Sequence, residues 1–156
     1  MSKEERNERR ENYRHFLSIP TRWMDNDVYR HVNNVVYYSF FDTVVNRYLI
    51  EQDVLDIETS PVIGLVVETQ CRNFSPITFP DMVWAGLRVA HLGGSSVRYE
   101  VGLFRNGDQS AAAQGHFVHV YVEREGRRPA GVPDDMRHLL QTIQSSTSSE
   151  TRSDHS

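Results

Sequence analysis

Asp25, Asp27, His31, Asn33 and Asn34 crowd two carboxylates, an imidazole and two amides into ten residues. Directly after them comes the clearest helical pattern in the chain. A helix N-terminus offers unpaired N–H donors and partial positive charge. Such donors polarise a carbonyl and hold the oxyanion that forms when it is attacked. A carboxylate beside them can be the nucleophile, or the base that activates a water. The pattern therefore fits acyl transfer. The same residue types also suit a turn and a helix cap on purely local hydrogen-bonding grounds. Spacing alone leaves both readings open.

The helix that must position this cluster is marked by Tyr37, Phe40, Phe41, Val44, Val45 and Tyr48, at steps of three and four. Asn33 or Asn34 suits its N-cap. Most other core segments read as strands. "IPTRWM" begins the core, and "VIGLVVETQCRNF" is rich in β-branched residues. "DMVWAGLRVAHL" follows a Phe79–Pro80 turn. In "SSVRYEVGLFR", Val97, Tyr99, Val101 and Leu103 alternate with polar residues. Asn106–Gly107 signals a hairpin before "SAAAQGHFVHVYVER". Pro133, Asp134 and Asp135 suit the first turn of a short final helix. Short connections between the late strands require antiparallel pairing. One apolar helix against one antiparallel sheet gives an α+β fold. Apolar residues on both faces of the last strand predict at least a dimer.

The 156 residues suit one domain, expected over 15–143, after a charged lead-in (1–14) and before a disordered polar tail (144–156). The formal net charge of −4 provides no field to gather nucleic acid. No apolar run is long enough to span a membrane. The charged start lacks a secretory pattern, and Cys71 is the only cysteine, so a cytoplasmic location is expected. No metal is expected. Asp25, Asp27 and His31 lie too close together for a good zinc set, and His116 and His119 alternate across a strand. Neither a serine-hydrolase elbow nor a phosphate-binding glycine loop is present.

"DNDVYRHVNNVVYYSFFDTVVNRYL" resembles the signature of the 4-hydroxybenzoyl-CoA thioesterase family of hotdog proteins, which shows Asp-x-Asp, a glycine, then His-Val-Asn-Asn and Tyr. "RNFSPITFPDMVWAGLRV", "LGGSSVRYEVGLF" and "AAAQGHFVHVYV" resemble that family's later strands, so the likeness covers roughly residues 15–130. It implies a hotdog fold, an antiparallel sheet wrapped round one long central helix. It also implies hydrolysis of an acyl-CoA thioester without cofactor, and active sites between subunits of a homodimer or homotetramer. Asp27 takes the position of the catalytic carboxylate, and the polarising N–H falls near Asn34. His31, Asn33 and Tyr37 would shape the pocket. Ser95 and Ser96, in the Gly93–Ser96 turn, would touch the nucleotide. Arg30 stands where the family usually has glycine. If that position takes a positive φ, arginine there costs about 1–2 kcal/mol.

The expected function is acyl-CoA thioesterase, with the acyl group beside Tyr37, Phe41 and Phe74. A non-catalytic acyl or CoA binding module is the alternative. A hotdog hydratase lacks its own motif here.

Overall fold

A computed structural model describes residues 8–145. The elements run β1 (His15–Pro20), α1 (Asn34–Glu51), β2 (Val62–Asn73), β3 (Met82–Leu92), β4 (Ser96–Arg105), β5 (Ala113–Glu123) and α2 (Asp134–Gln141). The five strands form one antiparallel sheet in the order β1-β3-β4-β5-β2. With α1 packed against it, this is the expected α+β hotdog architecture. Among the described residues, no helix is long and apolar enough to cross a membrane.

The helical stripe read from the sequence is the buried one. Phe41, Val44 and Val45 are wholly inaccessible, and Tyr37, Phe40, Tyr48 and Leu49 nearly so. They meet the alternating inward residues of the strands, among them Val83, Ala85 and Leu87 of β3 and Val97, Tyr99, Val101 and Leu103 of β4. Gly115 of β5 lets the helix come close, since a Cβ there would run into the Phe41 ring and the Gln70 carbonyl. Burial of this stripe is the main driving force for assembling the layers.

The first expected strand begins and ends earlier than "IPTRWM" suggested. β1 stops at Pro20, and Trp23–Asp25 form a 3-10 turn. The Asp25 carboxylate causes the break. It accepts from the Arg22 N–H (2.8 Å) and the Arg22 guanidinium (2.8 Å), which curls the chain.

The sheet's outer face is partly covered by the chain's own beginning. Residues 1–7 of the charged lead-in lie outside the described residues, but residues 8–14 pack on the sheet. The Tyr13 ring occupies the space over Gly86 and Gly102 that side chains would otherwise fill, edge-on to Phe104. Its hydroxyl donates to Glu8 (2.5 Å). From Glu8 a row of charge crosses the sheet. Arg88 bonds both Glu8 (3.1 Å) and Glu100 (2.8 Å), Arg98 reaches Glu100 and His116, and His116 pairs with Glu68 (2.7 Å). Beyond α2, Ser145 still donates a backbone hydrogen bond to Val89. The tail expected from 144 lies, past 145, outside the described residues.

His119 sits on the inner face, packed against Phe117, Tyr99 and Tyr121. Tyr99 and Tyr121 share a hydrogen bond of 2.7 Å. Burial pushes the His119 imidazole down from 6.5 to about 4. As pH falls below 6.5 the unfolded chain takes up a proton that the native state refuses, so stability is lost between pH 6.5 and about 4. Over that window the loss attributable to His119 is roughly 3 kcal/mol. His15, also shifted down by burial, adds to the loss with the same sign. Urea titrations from pH 7 to pH 4 should therefore show falling stability in the native chain. The slope should be markedly shallower in His119→Phe, which keeps an aromatic ring and removes the proton site.

Candidate active site

The chain from Arg22 to Asn34 is held against the β2–β3 connection by its backbone. The Val32 N–H donates to the Ile77 carbonyl (2.7 Å), and the Asn33 N–H to the Asp25 carbonyl (2.8 Å). The Asn26 amide oxygen accepts from the Phe79 N–H (3.1 Å). Asp25, which looks interchangeable with Asp27 in sequence, is buried and spent on Arg22. It braces the loop.

Asp27 is exposed on the single chain and closes the turn that follows it. Its Oδ1 accepts from the Tyr29 N–H (2.8 Å) and the His31 N–H (3.3 Å). Both bonds fall on Oδ1, which leaves Oδ2 uncommitted among the described residues. Asn33 is the N-cap, accepting from the Val35 N–H at 3.0 Å. The Val36 N–H bonds the Asn33 carbonyl. The Asn34 N–H, first in the helix, makes no hydrogen bond among the described residues. A free donor thus stands at the positive end of α1.

A cleft of about 370 Å³ joins these groups, lined by Asp27, His31, Asn34 and Tyr37 from the predicted set. Asn33 spends its side chain on the cap outside that lining. Tyr37 is buried, and burial raises its phenol above the ordinary value, so it keeps its proton. The other wall comes from the end of β2 and the residues after it, Asn73 to Pro76. The Asn73 amide donates weakly to the Asn34 side-chain oxygen at 3.4 Å. The signature residues do not disclose this wall. It meets them across some forty positions of chain, through contacts such as Asn73 to Asn34 and Val32 to Ile77. Phe74 lines the cleft as expected, whereas Phe41 does not. It is wholly buried against Gly115 and Phe117 and belongs to the core.

Ser95 and Ser96 are not brought to the cleft within one chain. Ser95 ends the β3–β4 turn, its carbonyl accepting from the Tyr121 N–H, and Ser96 opens β4. The cleft lies at the opposite end of β4 and β5, beyond the Leu103–Ala113 pair. Among the described residues, no group of three or more His, Cys, Asp or Glu side chains is placed to hold a metal ion.

Comparison with known proteins gives a consistent picture. The model of the thioesterase-like superfamily matches residues 21–140. The PA5185 protein from Pseudomonas aeruginosa strain PAO1 is 56% identical, with a TM-score of 0.86, covering 88% of this chain and 96% of that one. A thioesterase from Thermus thermophilus, crystallised with coenzyme A and Zn, is 32% identical with a TM-score of 0.70, over 85% and 96% of the two chains. The BH1999 gentisyl-coenzyme A thioesterase, at 20% identity, shares the fold (TM-score 0.72, over 81% and 99%). Among curated proteins nothing matches the chain.

Arg30 does adopt the left-handed region, with φ of 67°. Its N–H donates to the Asp27 carbonyl (3.0 Å), so the tight turn survives the side chain. The strain should be measurable. Arg30→Gly removes the steric conflict but frees the unfolded chain, for a net gain of about 1 kcal/mol. Equilibrium unfolding of the two proteins at neutral pH checks this.

Proposed function

The chain belongs to the thioesterase-like superfamily, and from that membership we propose that it hydrolyses acyl-CoA thioesters at the Asp27 cleft. One observation carries the reading: Asp27 and Asn34, the first residue of the helix, line the same cleft, on a scaffold held by backbone hydrogen bonds. The thioester carbonyl oxygen points at Asn34, where the helix end stabilises negative charge as it develops. Two routes use the same groups. In one, Asp27 Oδ2 attacks the carbonyl carbon, the C–S bond breaks, and CoA leaves as the thiolate. Water then cleaves the mixed anhydride and restores the carboxylate. In the other, Asp27 takes a proton from water, hydroxide attacks the carbonyl, and that proton passes to the departing sulfur. Both yield a free acid and CoA. Tyr37, protonated and buried, orients the substrate with His31. Asn33 fixes the helix end.

The site takes its complete form between two copies of the chain. β2 is an edge strand whose Val66 and Val67 side chains are exposed, the kind of edge that a second strand covers. Because Ser95 and Ser96 sit at the far end of the sheet, their contact with the CoA nucleotide would come from the other copy. The assembly is a homodimer, or a homotetramer built from it.

Asp27→Asn keeps size and hydrogen-bond acceptance while removing the negative charge. Turnover should fall about 10²–10⁴-fold on a panel of acyl-CoAs followed by free-thiol release. Circular dichroism and light scattering should show an unchanged fold and a native assembly state. Normal hydrolysis in the folded variant would remove Asp27 from the reaction. Tight acyl-CoA binding by the native chain with no thiol release would instead identify a binding module.

A further inference from the structure

A second cavity lies at the other end of the central helix. It holds about 220 Å³, opens partly to solvent beside Ile57, and is lined by Leu49, Ile63, Gly64, His119, Tyr121 and Met136, among others. It shares no residue with the Asp27 cleft. An enclosed apolar space of about 150 Å³ is already enough to hold a benzene ring.

Two features distinguish it from a packing defect. The first is His119, 4% exposed and without a side-chain hydrogen bond among the described residues: Nε2 is sealed off with no partner, and Nδ1 is the nitrogen that faces Gly64. Buried polar nitrogens are ordinarily satisfied, and the rare exception calls for an explanation. The second is Gly64. A Cβ there would stand 3.0 Å from His119 Nδ1 and 3.1 Å from the Tyr121 ring, so the absent side chain keeps the space before the imidazole open.

The walls also define what fits. The Arg124 guanidinium is committed to the Ser60 and Ile57 carbonyls (both 2.7 Å), and the Asn46 amide to Asp42. The Tyr121 hydroxyl is taken by Tyr99. Burial keeps the imidazole neutral near pH 7. Arg124 keeps its charge but turns Nε and a terminal nitrogen to those loop carbonyls, so His119 is the uncommitted polar group on an otherwise apolar surface.

We propose that this cavity is a second ligand site, taking a small uncharged molecule with an apolar body and one hydroxyl that hydrogen-bonds the His119 imidazole. The site is independent of the chemistry assigned to Asp27. Phenol and toluene are the probes, matched in size and differing in the hydroxyl. Calorimetric titration of the full chain at pH 7 should show one phenol per chain, bound about tenfold tighter than toluene. Asp27→Asn should bind phenol like the native chain. His119→Phe should lose the preference for phenol over toluene, and Gly64→Ala should weaken both probes. Tyr121 resonances should shift on phenol addition, with those of Tyr37 unmoved. Should His119→Phe not fold, Gly64→Ala and the resonance map decide the matter. No saturable phenol binding, a preference that persists in folded His119→Phe, or shifts confined to Tyr37 and its neighbours would overturn the proposal.

Discussion

The burial of one helical stripe against the inner face of the sheet is the constraint from which the rest follows. Phe41, Val44 and Val45 have no accessible surface, and Gly115 lets the backbones approach closely enough for that. Once the stripe is seated, the helix can neither turn about its axis nor slide along it without opening voids. Its first turn is thereby fixed relative to the ends of β2 and β5. Packing some distance away thus sets where the first helical N–H, at Asn34, lies.

The loop before the helix is secured differently. Few of its side chains are buried, and Trp23, Met24, Val28 and Tyr29 are largely exposed. What holds it is hydrogen bonding: Asp25 to Arg22, Asn26 to Phe79, Val32 to Ile77, and Asn33 back to Asp25. The two aspartates divide the work. Asp25 is bound up in local structure, while Asp27 lines the cleft. The turn tolerates a left-handed arginine because its backbone bonds fix the geometry whatever residue stands there.

Much of this architecture is legible in the residues themselves. The helix is written in the three-and-four spacing of Tyr37 through Tyr48. β4 is written in the alternation of Val97 to Leu103, and the β4–β5 turn in Asn106–Gly107. Asp27 and Asn34 stand out through the likeness of their segment to a known signature. What could not be read has common causes. By residue type alone Asp25 and Asp27 are alike, and in the fold burial separates them. Phe41 and Phe74 are both aromatic, yet one faces the core and the other the cleft. Asn73 to Pro76 complete the pocket through contacts with residues some forty positions away, which leave no local mark. The end of β1 is set by a side chain bonding to its own loop, and this overrides the β-propensity of the preceding residues.

The buried phenols carry one further consequence. Burial lifts Tyr13 and Tyr99 well above the ordinary value of 10 and Tyr121 to about 12. Above pH 10 the unfolded chain sheds these protons while the native one retains them, so alkali works against the fold just as acid does through the imidazole. Tyr13 rivets the chain's beginning onto the outside of the sheet, whereas Tyr99 and Tyr121 lie under the helix. Base thus strains both sides of the sheet at once, and ultraviolet absorbance of phenolate would report the collapse from within.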